Sequence, residues 1–180
     1  MRSFVALSLP EDLSARLAAR IAGFPAGRVV APENLHITLA FLGDQTDLVL
    51  EELHHGLGSI FLPAFEVKID GFGSFGGSQP RALYAAVTPS PSMSTLHKAV
   101  RRAARIAGID LPHERFVPHI TLARFRPVEA GAASSAMAKL MVEGFTARFE
   151  PAAFTLFGSN LTPEGPRYEV LADYPLFAAD

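Results

Sequence analysis

The chain carries two copies of a five-residue segment whose side chains suit proton transfer at a phosphate. His-Ile-Thr-Leu-Ala occupies residues 36–40 and recurs, 83 positions later, at residues 119–123. An imidazole has an ordinary pKa of about 6.5, so a histidine takes up or releases a proton close to neutral pH. A threonine hydroxyl donates a hydrogen bond to a phosphate oxygen on which negative charge develops. Two such pairs in one small volume would suit in-line attack on a phosphodiester, with one histidine as base and the other as acid.

The spacing of the motif places its polar side chains on one face of a strand. Side chains alternate across a β-strand, so His36 and Thr38 share one face while Ile37 lies on the other. His119 and Thr121 repeat this arrangement in the second copy. We expect the apolar face to pack on a helix, which leaves the His/Thr face directed at a cleft or at solvent.

The periodicity of the apolar residues predicts an α+β protein. Alternation predicts strands at residues 4–9, 35–42, 65–70, 81–87, 117–125, 145–149, 154–157 and 168–172. Helical spacing predicts helices at about 10–24, 46–57, 94–107 and 129–141, the third of which stops at Gly108. No linker is long enough to separate two domains, so residues 1–180 are predicted to form a single domain.

The composition indicates a globular protein and excludes several classes of site. The 180 residues are 49% hydrophobic and 19% charged, and the absence of cysteine excludes disulfides, cysteine-based zinc sites and a thiol nucleophile. The formal net charge of −2 argues against a protein that wraps long duplex nucleic acid and favours contact with a chain end, a short oligonucleotide or a nucleotide. The opening apolar run is too short for a signal peptide, and no stretch has the length of a membrane span, so a cytoplasmic location is expected.

Three further patterns carry less information about function. Residues 71–76 satisfy G-x-G-x-x-G, but a strand follows instead of the helix that a dinucleotide site requires, so a flexible hairpin loop is expected. His54 and His55 are adjacent on a helix and cannot both face one ion, and no acidic cluster resembles a two-metal phosphatase site. No metal and no cofactor are therefore predicted. A basic face on the third helix is either solvated or guides an RNA tail, and it consists of Lys98, Arg101, Arg102 and Arg105.

The segments around both motifs resemble the RNA 2′,3′-cyclic phosphodiesterase family, also known as 2′-5′ RNA ligases, of the 2H phosphoesterase superfamily. The resemblance covers nearly the whole chain and shows no departure at the motif positions. It rests on an opening strand, two signatures, a central strand and a closing hairpin, at residues 2–7, 34–43, 116–124, 81–84, and 156–161 with 165–170.

This resemblance implies two pseudo-symmetric lobes, each an antiparallel sheet backed by helices, with a central cleft. It implies an enzyme that hydrolyses 2′,3′-cyclic phosphate ends of RNA to 2′-phosphomonoesters without a metal. His36 would protonate the departing 3′ oxygen and His119 would activate water, although the sequence by itself fits the exchanged roles equally well. Thr38, Thr121 and Arg124 would hold the phosphate.

The position of Arg124 needs an irregular strand. It stands at an odd offset from His119, so in a straight strand the two side chains would lie on opposite faces. A strand end or a bulge would return Arg124 toward the phosphate. Further candidates for contact with a base or with the substrate are Phe41, Arg81, Phe4 and Tyr84.

Two alternative functions stay open at this point. The same site would suit reversible 2′-5′ ligation of RNA, such as tRNA halves. A non-catalytic module that binds nucleotides or RNA ends would also keep the cleft, although intact His and Thr in both motifs argue against it. The expected partner is an RNA with a 2′,3′-cyclic phosphate end or a small cyclic nucleotide. Neither a membrane nor an obligate protein partner is expected.

Overall fold

A computed structural model describes residues 1–163 and 165–178 of the chain. Within these residues the strands are β1 (Arg2–Ser8), β2 (Arg28–Val29), β3 (His36–Asp44), β4 (Val67–Phe75), β5 (Ala82–Val87), β6 (His119–Arg124), β7 (Thr146–Phe149), β8 (Ala153–Thr162) and β9 (Gly165–Pro175). The helices are α1 (Glu11–Arg20), α2 (Asp47–Gly58), α3 (Pro91–Ile106) and α4 (Ala130–Glu143), and short 3-10 turns cover Pro32–Asn34 and Pro127–Glu129. The prediction of an α+β protein is confirmed.

The strands form one curled antiparallel sheet, which consists of two halves. The strand order is β7-β4-β5-β6-β3-β1-β8-β9. The short β2 also pairs with β6 but is not part of this linear order. The halves therefore meet where β6 adjoins β3, so the two motif-bearing strands are direct neighbours. The antiparallel pair that joins these two strands is Ile37 with Ile120, and both residues are fully buried.

Helices cover the apolar side of each half. The helix α3 packs on β3 and on α2, and α2 also contacts β9. On the other half α4 packs on β4, and the Arg20 side chain at the end of α1 donates to the Gly144 carbonyl at 2.8 Å and pairs with Glu143 at 3.3 Å. The expected fold of antiparallel strands backed by helices is confirmed, and the two expected sheets are the joined halves of one curled sheet.

The ends of α3 show how local sequence fixes a helix. Ser90 caps the N-terminus, because its hydroxyl accepts from the Met93 N–H at 3.2 Å, and Pro91 occupies the first turn. Gly108 follows the helix with a φ of +83°, as a stop residue requires. None of the helices in the described ranges is long and apolar enough to cross a membrane.

The glycine-rich run at residues 71–76 is not the flexible hairpin loop that its composition predicts. Most of it belongs to β4, which continues to Phe75 in register with β5, and the turn starts only at Gly76. The physical reason lies across the sheet: a side chain on Gly73 would approach the Tyr84 ring to about 2.5 Å. Gly73 thus makes room for Tyr84 inside a strand, which composition alone does not reveal.

Candidate active site

Both motifs share one pattern of burial and one irregularity of the backbone. In β3 and in β6 the His and Thr positions are half-buried, while the residues between and after them are buried. The pairing of β3 with β1 shifts by one residue at Leu39, and the pairing of β6 with β5 shifts at Leu122. Each motif therefore contains a β-bulge at its leucine, directly after the threonine.

The bulge reverses the alternation of side chains. After Leu39 the next buried residue is Ala40, so Phe41 emerges on the exposed face, with 61% of its surface accessible. After Leu122 the same change leaves Arg124 exposed. Since a bulge inserts one extra residue, positions at an odd offset from the histidine return to its face. The irregularity that Arg124 requires is thus present.

A cavity of about 550 Å³ lies on this face of the sheet. Its lining includes an imidazole, two hydroxyls, a guanidinium and an aromatic ring, from His36, Thr38, Thr121, Arg124 and Phe41. Two further cations, from Arg28 and Arg167, line the same cavity. The volume lies in the range of small-molecule sites, and the lining suits an anion that carries an aromatic group.

Backbone contacts and two aromatic rings fix the orientation of His36. Its Nδ1 lies 2.7 Å from the Asn34 carbonyl oxygen, and the Asn34 side-chain amide donates to the Pro166 carbonyl at 2.9 Å. The imidazole packs against Phe4 and Tyr168, with ring centroids 4.8 and 5.4 Å away. The hairpin of β8 and β9 therefore supports His36 across a long sequence separation.

His119 has a matching environment built from other residues. Its Nδ1 lies 2.7 Å from the Val117 carbonyl oxygen. Its ring packs against Phe75 and Tyr84, at 4.8 and 5.4 Å between centroids. His119 does not line the cavity that holds His36, but the two imidazoles interact, because a charge on His119 lowers the pKa of His36.

These contacts determine the tautomer of both histidines. A carbonyl oxygen only accepts hydrogen bonds, so Nδ1 must carry the proton in His36 and in His119. In a neutral imidazole the Nε2 atom then keeps its lone pair and is free to act at a substrate.

Burial keeps both imidazoles neutral in the ligand-free site. Burial, together with the positive charges of His119 and Arg124, lowers the pKa of His36 to about 4 against the opposing hydrogen bond to Asn34. Burial, followed by Arg124, also lowers the pKa of His119 below its usual value. An anionic ligand would oppose these effects, because a nearby negative charge stabilises an imidazolium.

Of the four residues that the sequence suggested as contacts of a base or the substrate, the structure places only Phe41 in the lining of the cavity. Phe41 lines the cavity, and Tyr84 supports His119. Phe4 is 3% exposed and packs behind His36, so little of its ring surface is available to a base. Arg81 lies at the end of the β4–β5 turn, where its N–H donates to Phe75, and it does not line the cavity.

Several residues that support the site were not identified from the sequence. Asn34 lies two residues before His36, and its carbonyl fixes the tautomer of that histidine. The residue type gives no sign of this role, because the contact is made by the backbone. Tyr168 and Arg167 lie in the closing hairpin, and their proximity to His36 requires the pairing of β9 with β8. Among the described residues no group of three or more His, Asp or Glu side chains is arranged to hold a metal ion.

Comparison with known proteins gives one consistent result. A sequence model described as the 2′-5′ RNA ligase superfamily matches residues 9–160. A protein of Thermus thermophilus named RNA 2′,3′-cyclic phosphodiesterase is 31% identical, over 98% of this chain and 90% of that protein. A protein of Escherichia coli with the same name is 31% identical, over 97% of this chain and 96% of its own length.

Solved structures agree with the sequence comparison. Escherichia coli LigT in complex with 3′-AMP has a TM-score of 0.81 and 28% identity, over 97% of both chains. The same protein in complex with ATP has a TM-score of 0.80, over 98% of both chains. The MHV ns2 PDE domain is 12% identical with a TM-score of 0.55 and shares the fold alone.

Proposed function

Because this chain belongs to the 2′-5′ RNA ligase superfamily, we propose that it is an RNA 2′,3′-cyclic phosphodiesterase, which opens the cyclic phosphate to a 2′-phosphomonoester. The observation that carries the proposal is the matched pair of histidines. Each is held as the Nδ1–H tautomer by a backbone carbonyl, which leaves Nε2 as the nitrogen that can act on a substrate. His36 lines the cavity together with the hydroxyls and the guanidinium, and His119 lies on the adjoining strand.

The phosphate would lie over the centre of the sheet. Antiparallel continuation of the Ile37–Ile120 pair sets His36 opposite Thr121 and Thr38 opposite His119. The hydroxyls of both threonines would donate to the non-bridging oxygens. The guanidinium of Arg124 would offset the negative charge that grows there in the transition state.

Proton transfer would follow from the tautomers. The neutral Nε2 of His119 takes a proton from water as the water oxygen forms its bond to phosphorus. The bond from phosphorus to the 3′ oxygen breaks, and the protonated Nε2 of His36 gives its proton to that oxygen. The products are a 3′-hydroxyl and a 2′-phosphomonoester. Exchange with solvent then returns the two histidines to their starting states.

The bound phosphate favours the protonated form of the histidine that acts as the general acid in this step. In the free site both pKa values are lowered, so a general acid is scarce at neutral pH. A phosphate beside the two imidazoles raises both pKa values and stabilises one imidazolium. The assignment of the acid to His36 is supported by the family resemblance, and the exchanged assignment predicts a different result in the experiment with a sulfur leaving group described below.

The expected substrate is an RNA end or a small cyclic nucleotide. The cavity offers Phe41 as an exposed ring for a base, and Arg167 as a further cation for a phosphate of the chain. The LigT structures in complex with 3′-AMP and ATP support a nucleotide as the class of ligand. We propose that the whole chain acts as one bilobal domain in the cytoplasm.

One assay tests the function. An oligonucleotide that ends in a 2′,3′-cyclic phosphate is incubated with the protein and excess chelator, and the end groups are identified by ³¹P NMR. We expect a 2′-phosphomonoester. Complete dependence on added metal, or a 3′-phosphate product, would contradict the proposal. Joined products with a 2′-5′ linkage from RNA halves would favour ligation, and tight binding without product would favour a binding module.

A further inference from the structure

The His119 tautomer depends on a carbonyl that belongs to a segment without regular structure. Residues 111–118 form the second part of the connection from α3, which ends at Ile106, to β6. In this segment the Val117 carbonyl accepts from His119 Nδ1–H at 2.7 Å. The Val117 side chain is 40% exposed and therefore anchors this carbonyl weakly. Its neighbours must hold the backbone in place.

Two side chains of α3 hold this segment. The His97 imidazole stacks on the Phe116 ring, with 3.8 Å between centroids and 10° between planes. One helical turn later, the Arg101 guanidinium donates to the Pro112 carbonyl at 2.7 Å and to the Leu111 carbonyl at 3.4 Å. Residues four apart lie on the same face of a helix, so α3 grips the segment at both ends.

The His97 ring is suited to this contact. Burial, together with the charges of Arg101 and Lys98, lowers the pKa of His97 to about 4, so the ring is neutral near neutral pH. A neutral imidazole stacks face to face on phenylalanine without the desolvation cost of a charge. Immediately after Phe116 and Val117, Pro118 is fixed from the other side, since its carbonyl accepts from the Val87 N–H at 3.4 Å.

We infer that His97 is a positioning residue for His119, which acts through Phe116 and the Val117 carbonyl and not through contact with the substrate. The corresponding support of His36 comes from a different source, the bond between the Asn34 side chain and Pro166. The two histidines of the pseudo-symmetric site are therefore positioned by unrelated elements. This inference rests on the proposed function for its effect on turnover, but its structural part does not.

The test combines kinetics with NMR of the whole protein. Long-range ¹H–¹⁵N correlation spectra report which nitrogen of His119 carries the proton. In His97→Ala we expect the Nδ1–H signature of His119 to weaken, kcat on the cyclic phosphate oligonucleotide to fall about tenfold, and KM to change less than about twofold. His97→Phe keeps a stacked ring and should restore both kcat and the tautomer signature.

Matched variants make the result decisive. Ser92→Ala removes an exposed hydroxyl from the first turn of the same helix and should leave both measurements unchanged. Arg101→Gln should shift them in the same direction as His97→Ala and provides a second route if that variant folds poorly. The inference is overturned if His97→Ala keeps the wild-type tautomer and kcat, or if His97→Phe behaves like His97→Ala. The NMR measurement is made without substrate, so it stands even if the protein proves inactive on cyclic phosphates.

Discussion

Phe41 and Arg124 occupy equivalent places in the two lobes, each five residues after its histidine and just beyond a bulge. Both are exposed, and both line the same cavity. The two lobes differ chemically at this pair, because one lobe supplies an aromatic ring and the other a guanidinium. This difference would give a nearly symmetric site a direction, with the base toward one lobe and phosphate charge toward the other.

Arg124→Ala should lower kcat/KM about a hundredfold, because the growing charge on the phosphate loses its cation. The same change should raise the pKa of His36 and of His119, since the positive charge of Arg124 lowers both. NMR titration of the two histidines checks the second effect independently of turnover. Lys139→Ala, at an exposed cation on α4 that does not line the cavity, is the control. Unchanged histidine pKa values in Arg124→Ala would contradict the expected proximity.

Phe41→Ala should raise KM for a cyclic-phosphate dinucleotide about tenfold and change kcat little, because a stacking surface for the base is removed. The Phe41 ring is already 61% exposed, so the free energy of unfolding should change by less than about 0.5 kcal/mol. Phe61→Ala, at a ring that is 73% exposed and does not line the cavity, is the matched control. Equal KM values for the two variants would remove Phe41 from the site.

His36→Ala and His119→Ala should each reduce turnover at least about a thousandfold, since each removes one of the two proton-transfer groups. Circular dichroism should show intact secondary structure, because both imidazoles lie on the cleft side of the sheet and not in the helix-covered core. His55→Ala, at an exposed position on α2, should retain normal activity. Near-normal turnover in either active-site variant would refute the paired-histidine mechanism.

A sulfur leaving group separates the acid from the base. A cyclic substrate with sulfur in place of the 3′ oxygen releases a thiolate, which needs no proton. His36→Ala should therefore regain activity on this substrate to within about tenfold of the wild type, while His119→Ala stays inactive. Rescue of His119→Ala instead would show that the two roles are exchanged.

Acidification should destabilise the fold through His36. Its pKa is about 4 in the folded protein and 6.5 without the fold, so the unfolded chain binds more protons between these values. The contribution to stability is present in full above pH 6.5 and is lost as the pH falls toward 4, by up to about 3 kcal/mol. Urea unfolding across this range measures the slope. His36→Gln, which does not titrate there, should show a weaker dependence, and an equal slope in both proteins would contradict the lowered pKa.

Much of the site was predictable because alternation within a strand is a local property. The identical motifs placed His36 beside Thr38 and His119 beside Thr121, and the half-buried positions in β3 and β6 agree with that spacing. The α+β class followed from periodicity in the same way. Composition failed at residues 71–75, where the environment of Gly73 is set by Tyr84 on the neighbouring strand.

The sequence by itself determined the reactive groups and their faces, since these depend only on residue type and on spacing along one strand. The tertiary structure decided how the groups meet. It joined β3 to β6 at Ile37 and Ile120, and its bulges returned Phe41 and Arg124 to the cleft. It also packed aromatic rings against each imidazole, and it supported the segments that carry the two carbonyls from places as distant as β9 and α3. Such pairings arise from competition between strands for partners and buried surface, which no local pattern records.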